Sequence, residues 1–332
     1  MKSIALIIPW YGSFHNYFKL WMRSAEFNQT VDFYIVTDNQ APDKCPKNIK
    51  FIHMTFDEVR ARLQKHVPFK IKLTPYKLCD FRPLFGLAFE DIFNNYDYWG
   101  YCDIDLIFGD IRKFLTDEVL TDDRILQRGH FSLYRNDEKM KKLYLLTDNT
   151  DNMAYSYKKA WRTNFSCYFD EFLGINIVTD QYCKAFNDHR VEKVVLDPPA
   201  YILPFQSAVN SDVYYGIWEN GHLYRQRYDT QSKKNVGARE EFMYLHMQKR
   251  KMQLEITCEG IEKFYIIPNK FTNCPNFNIS EQDAAEYTKK HFANDKKKNI
   301  KKLLKFGPID CIQHRLRRRK IDTWLAKNKP NF

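Results

Sequence analysis

Apolar and polar positions in the first hundred residues alternate between two periods. "SIALIIP" (3–9) is a short apolar run ended by proline, and "HNYFKLWMRSAEF" follows with Tyr17, Leu20, Trp21 and Ser24 at helical spacing. "VDFYIVTDN" (31–39) reads as a second strand closing on a polar turn, and "NIKFIHM" (48–54) alternates like a third. In "TFDEVRARLQKHV", Thr55 stands as N-cap with Glu58 three residues on, a capping box. "RPLFGLAFEDIFNNY" (82–96) opens a further helix with proline and leads into the strand "DYWGYCDID". This rhythm predicts an α/β fold with a mostly parallel central sheet and helices on both faces. Ligands of such sheets gather beyond the carboxyl ends of the strands. Pro9–Tyr11, Thr37–Asn39 and Asp103–Asp105 are therefore expected to share one rim.

Beyond residue 100 the pattern loosens. "HFSLYRN" (130–136) reads as a strand, "SCYFDEFLGINIV" (166–178) as a turn and short helix, and Pro198, Pro199 and Pro204 mark a loop. "YGIWENGHLYRQ" predicts a hairpin turning at Asn220-Gly221. "EFMYLHMQKRKM" (241–252) and "KFYIIPNKF" (263–271) are the last strand-like pieces. No internal repeat or linker interrupts the body. The expected organisation is one domain over 1–288 and a helical tail over 289–332.

Charge sharpens that boundary. The tail holds fifteen of the chain's 52 basic residues and three of its 41 acidic ones, leaving 37 and 38 for the body. The body is nearly neutral and the tail is a cation of +12, which calls for an acidic partner surface. Its cations alternate with Ile300, Leu303, Leu304, Phe306, Ile309, Ile312, Leu316, Trp324 and Leu325. Dense Lys/Arg beside apolar residues at helical spacing describes an interfacial helix on an anionic membrane. A phosphate-tracking arm has little use for the aliphatics, so nucleic acid is not the expected partner.

The eight cysteines include no C-x-x-C pair, so core thiols in a reducing compartment are expected rather than zinc or disulfide chemistry. The N-terminal apolar run is only five residues long, too short for a signal peptide. No segment approaches the ~20 apolar residues of a transmembrane helix. A cytoplasmic protein, peripheral on the inner membrane face, is the expectation.

The chemistry concentrates in "YWGYCDIDLIFGDIR". Asp103 and Asp105 are two apart and in extended backbone point to one side. Two close carboxylates repel unless a cation joins them. A hard divalent ion, Mn²⁺ or Mg²⁺, does so and typically bridges to phosphate oxygens. A solvated, aspartate-rich turn is the bland alternative. Asp110 is expected to be structural, capping the helix from Ile111.

"YCDIDLIFGDI" resembles the metal-binding segment of GT-A glycosyltransferases, above all the bacterial lipooligosaccharide galactosyltransferase and glycogenin group. "IIPWYG", "YKLCDFRP", "GHFSLYRN", "YLHMQKRKM" and "FYIIPN" extend the likeness to a family of bacterial polysaccharide-biosynthesis proteins over roughly residues 1–270. The resemblance implies a single GT-A domain that transfers a hexose, galactose being one candidate, from a UDP-sugar to a glycan or lipid-linked glycan. It implies a metal site of Asp103, Asp105 and His246, and a donor site of Pro9, Tyr11, Thr37, Asp38, Lys77, Asp80, Arg82, Asp103, Ile104, Lys249 and Arg250. Within that set Tyr11 would stack on the base and Lys249 and Arg250 would neutralise the diphosphate. Packing for His246, an Asx-turn for Asp38, a helix cap for Asp80 and a solvated turn for Lys249-Arg250 are the competing roles.

Asp170-Glu171 is the candidate for the acceptor side, where an inverting transferase needs a carboxylate base. A retaining reaction needs only a polar group on the leaving-group side, and the choice stays open. Two other readings compete with the transferase. A D-x-D phosphatase usually carries its motif at the end of the first strand, and here the motif comes late. A non-catalytic basic adaptor for membrane or RNA rests on the tail alone. The chain has neither G-x-x-x-x-G-K-[ST] nor G-x-G-x-x-G, which argues against a P-loop ATPase or a dinucleotide enzyme.

Overall fold

A computed structural model describes residues 1–151, 153–186, 194–206, 212–275, 279–306 and 308–328. Seven strands form the first sheet: β1 (Ile4–Pro9), β2 (Val31–Thr37), β3 (Ile49–His53), β4 (Tyr98–Cys102), β6 (Arg124–Arg128), β7 (Phe131–Arg135) and β8 (Ala185–Phe186). Their order is β3-β2-β1-β4-β7-β6-β8. The first four pair in parallel, and β7 enters antiparallel to both β4 and β6. The expected mostly parallel sheet is therefore present.

Alternation in β1 divides the core. Ala5 and Ile7 pack with Trp99 and Tyr101 on one face of the sheet. Ile4, Leu6 and Ile8 pack on the other with Phe33, Ile35, Tyr98 and the helix α1 (Phe18–Glu26), which contributes Phe18 and Trp21. The helix α2 (Phe56–Gln64) starts on the Thr55–Glu58 capping box read from sequence. The single helix expected over 82–96 is broken instead. The chain runs as 3₁₀ turns through Pro75–Leu84 and then as two four-residue helical turns. Pro83 removes an amide donor there, and Gly86 lies so close to the Trp99 indole that a Cβ would meet it at 2.5 Å.

The loosely patterned second half builds a second sheet, which the sequence reading did not separate from the first. It comprises β10 (Phe205–Gln206), β11 (Val213–Glu219), β12 (His222–Asp229), β13 (Lys234–Phe242), β15 (Gln253–Glu255), β16 (Lys263–Ile267) and β17 (Lys270–Thr272). β11 and β12 form the expected hairpin, with Asn220 at φ 48° and Gly221 at φ 85°. The sheet is tied to the segment that follows β4 by Trp218, whose indole N–H donates to the Phe108 carbonyl at 2.9 Å.

A third, three-stranded sheet matters most for the site. It joins β5 (Leu106–Phe108), β14 (Tyr244–His246) and β9 (Val195–Leu196). β14 lies antiparallel to β5 with His246 opposite Leu106, and parallel to β9 with Leu245 opposite Leu196. The residues flanking those positions, Asp105 and Asp197, are thereby carried to His246.

A helix α3 (Ile175–Tyr182) follows the Asp170-Glu171 turn, and two more, α4 (Glu281–Phe306) and α5 (Pro308–Asn328), end the described chain. α5 faces the body at i, i+3, i+4 and i+7 spacing. His314 stacks on Phe165 at 4.5 Å, Arg317 lies over Tyr155, Arg318 over Tyr168, and Ile321 is buried in the core. Ile312 and Leu316 point outward and are exposed. The side chains of Leu303, Leu304, Phe306, Ile309, Trp324 and Leu325 lie outside the described residues. Among the described residues no helix is long and apolar enough to cross a membrane, and no cysteines are bonded to each other.

Candidate functional site

The carboxyl ends of β1 and β4 open onto a cleft of about 690 Å³. One wall is the loop after β4. Asp103 is anchored by its own backbone, its N–H donating to the His130 carbonyl and its carbonyl accepting from the Trp21 indole. Asp103, Asp105 and His246 offer ligand atoms that all lie within 4.8 Å of one another. The Asp105 carboxylate accepts the Lys249 backbone N–H at 2.9 Å and lies 3.5 Å from His246 Nε2.

Two groups that the sequence reading passed over complete this cluster. Asp197 Oδ1 is 2.9 Å from His246 Nδ1, and its Oδ2 is 3.7 Å from His130 Nε2. His130 Nδ1 in turn meets the Tyr244 hydroxyl at 3.0 Å. The only sequence signal for Asp197 is "VVLD", a short apolar run ended by an acid, as in "YCDID".

Electrostatics here favour positive charge. Burial disfavours charge on each group, but the acids outweigh it at His246 and raise its imidazole to about 10. Burial pushes Asp105 and Asp197 up, while His246 and hydrogen bonding hold both below the ordinary carboxylate range. His130 has less compensation, and burial with the neighbouring His246 lowers it to about 4. Two carboxylates and one imidazole, the imidazole's far nitrogen held by a further carboxylate, is the donor set and outer support of a divalent metal site. The residues fit a divalent metal ion.

Across the cleft, Arg82 binds Asp103 with one terminal nitrogen. With the other it contacts the Gly129 carbonyl and reaches Asp170 Oδ2 at 2.7 Å. Burial, with Glu171 and Asp80 nearby, raises the Asp170 carboxyl well above its usual range despite Arg82. Glu171 is raised too, chiefly by burial, although its Oε2 accepts the Gly129 N–H at 3.1 Å. Gly129 is needed for this approach, since a Cβ there would lie 2.8 Å from Glu171 Oε2. Four non-glycine residues with positive φ, Tyr168, Phe172, Gln248 and Lys249, line the same cleft. Backbone strain is thus concentrated at this site.

Of the other residues expected on the donor side, Pro9 and Ile104 line the cleft, and so does Lys249, whose Nζ meets the Tyr76 hydroxyl at 2.9 Å. Tyr11 does not. Its ring packs on Phe56 and its hydroxyl donates to the Met54 carbonyl, while the cleft is lined instead by Trp10 and His15. Thr37 and Asp38 sit farther along the rim, with the Thr37 hydroxyl engaged by Asn39 and Asp38 exposed.

Lys77 and Asp80 form a buried pair at 2.7 Å outside the cleft. Asp80 accepts the backbone N–H groups of Cys167 and Phe169, and Lys77 donates to the Phe165 carbonyl. The pair pins the segment that carries Tyr168 and Asp170. Arg250 is buried against Phe205 and donates to the carbonyls of Pro199, Ile202 and Leu203, again outside the cleft. Asp110 accepts the Lys113 N–H as a helix N-cap, the structural role read from sequence.

No curated protein matches the chain. Among solved structures it is similar to the apo-form glycosyltransferase GlyE of Streptococcus pneumoniae TIGR4, at 12% identity and a TM-score of 0.29. The match covers 57% of this chain and 46% of that one, less than half its length, and is too slight to carry an argument about chemistry. Residues 6–275 match a family model described as a family of unknown function (DUF6625), and it is to this family that the chain belongs.

Proposed function

We propose that the protein is a metal-dependent glycosyltransferase of GT-A type. It moves a hexose from a UDP-sugar to a glycan or lipid-linked glycan of a surface polysaccharide. The observation that carries this reading is the convergence of Asp103, Asp105 and His246 on one wall of a cleft whose other wall holds Asp170 and Glu171. A phosphatase reading leaves the second acid pair without a role, and an adaptor leaves the whole cleft without one.

In this reading Asp103, Asp105 and His246 hold the metal, which when bound neutralises the donor's diphosphate and assists its departure. Asp197 orients His246 from behind. Lys249 adds a cation on the leaving-group side. Trp10 and His15, rather than Tyr11, supply rings for the base. Arg82 couples the two walls. Glu171 takes the acceptor hydroxyl's proton, because Asp170 is engaged by Arg82 and burial raises the Glu171 carboxyl, which makes its carboxylate a stronger base.

The tail serves this site from the inner face of the membrane. Its outward Ile312 and Leu316, with the exposed Arg315 and Arg319 between and beside them, make an apolar and cationic stripe opposite the face that docks on the body.

Thermal unfolding with UDP and Mn²⁺ tests the donor site. A ligand at ~100 Kd should add ~2.7 kcal/mol of stability. The shift should require both ligands and vanish in Asp103→Ala/Asp105→Ala. A shift that survives the double substitution, or no shift with Mn²⁺ present, overturns the reading.

A further inference from the structure

The basic tail has a second use that its charge alone does not suggest. α5 lies on the segment 153–168, through His314 on Phe165, the Tyr155 hydroxyl at 3.1 Å from His314 Nδ1, and Ile321 in the core. That docking carries Arg318 into the lining of the cleft, beside Tyr168 and Phe172. The Arg318 guanidinium lies 4.2 Å over the Tyr168 ring. Its Nε donates to Asp322 at 3.0 Å, an i,i+4 pair on the same helix, with the Asp322 side chain 54% exposed. A screened pair of this kind is weak and gives way readily to a better anion.

We infer that α5 is a wall of the binding cleft and that Arg318 binds a phosphate ester carried by the acceptor. Three observations support this. Arg318 stands on the acceptor side, docked through Tyr168 on the segment that carries Asp170 and Glu171, whereas in the transferase reading the metal cluster and Lys249 serve the donor's diphosphate. A planar fork stacked on an aromatic ring is pre-organised for phosphate oxygens. The neighbouring Tyr168 and Phe172 offer apolar surface to the group that bears the phosphate. The inference rests on the transferase reading for the word acceptor, but the anion site itself does not.

The full chain, saturated with UDP and Mn²⁺ in phosphate-free buffer, is titrated calorimetrically with hexyl phosphate, hexanol, glucose 6-phosphate and glucose. Both phosphates should bind and their unphosphorylated partners should not. Arg318→Gln should weaken phosphate binding about tenfold or more, the scale of a charge-assisted hydrogen-bonded contact. Arg318→Lys should fall between. Arg317→Gln removes an equal charge one residue away over Tyr155 and should keep the parent affinity. Hexyl phosphate as the tighter probe identifies a lipid-linked phosphate, and glucose 6-phosphate a free sugar phosphate. Equal losses in Arg317→Gln and Arg318→Gln, or hexanol binding as well as hexyl phosphate, overturn the inference. If UDP and Mn²⁺ fail to bind, the same titration without them still tests the anion site, so the two readings fail separately.

Discussion

His246 Nδ1 lies 2.9 Å from Asp197 Oδ1, which fixes the imidazole's orientation and turns Nε2 toward Asp105. Outer partners of this kind hold a ligating histidine in the right tautomer, and losing them typically costs about 10–100-fold in metal affinity. Asp197→Asn is therefore expected to weaken Mn²⁺ binding by about that factor, measured by titration of the bound ion. Unchanged affinity would mean that the Asp197 carboxylate does not support the metal site.

Arg82 contacts both Asp103 and Asp170. Removing its charge leaves Asp170, which is buried, without its cation. Breaking a buried pair costs about 3–5 kcal/mol, and removing the second charge returns much of it. Arg82→Met should lower stability to denaturant by that order, and Arg82→Met/Asp170→Asn should recover most of the loss. A double variant no more stable than Arg82→Met would show that the pair is not coupled.

Lys77 separates a structural role from a donor-binding one. Its ammonium is buried and bound to Asp80 and the Phe165 carbonyl. Lys77→Met should cost about 3–5 kcal/mol through the unpaired Asp80. Were Lys77 a phosphate ligand, the variant would keep its stability and lose UDP affinity instead.

These cases show what a single sequence discloses. The parallel strands and the capping box were legible because their determinants are local: period-two apolar runs and Thr55 with Glu58 three residues apart. The D-x-D was legible for the same reason. Asp197 was not, because its role depends on β9 pairing with β14, a contact spanning about fifty residues that leaves no local trace. Lys77, Asp80 and Arg250 bear charges that suggest a ligand from sequence, yet each spends its charge on backbone or a neighbour. Tyr11 and Trp10 are adjacent, and only the turn at the end of β1 decides which of them faces the cleft.

Gly129 makes room for the acceptor-side acids. A methyl group at this position would meet Glu171 Oε2 at 2.8 Å and Asp170 Oδ2 at 3.3 Å. Overpacking of this kind costs about 1–3 kcal/mol when neighbours must shift. Gly129→Ala should displace Glu171, lower stability by that order and reduce the turnover of UDP-sugar transfer while sparing UDP and Mn²⁺ binding. A variant with parental turnover would remove Glu171 from the acceptor site.

The two faces of α5 call for opposite responses. Ile321 is buried, and truncating a buried isoleucine to alanine costs about 2–5 kcal/mol. Ile321→Ala should therefore lower the midpoint of unfolding. Ile312 and Leu316 face outward with more than half of each exposed. Ile312→Asp/Leu316→Asp should leave that midpoint in place and reduce sedimentation with vesicles containing phosphatidylserine, because the apolar stripe is lost and two negative charges are set against the leaflet. Raising salt should weaken the parent's binding through screening of its cations. Vesicle binding that ignores both salt and the outward substitutions would leave α5 with a single role, as the wall that holds Arg318 in the cleft.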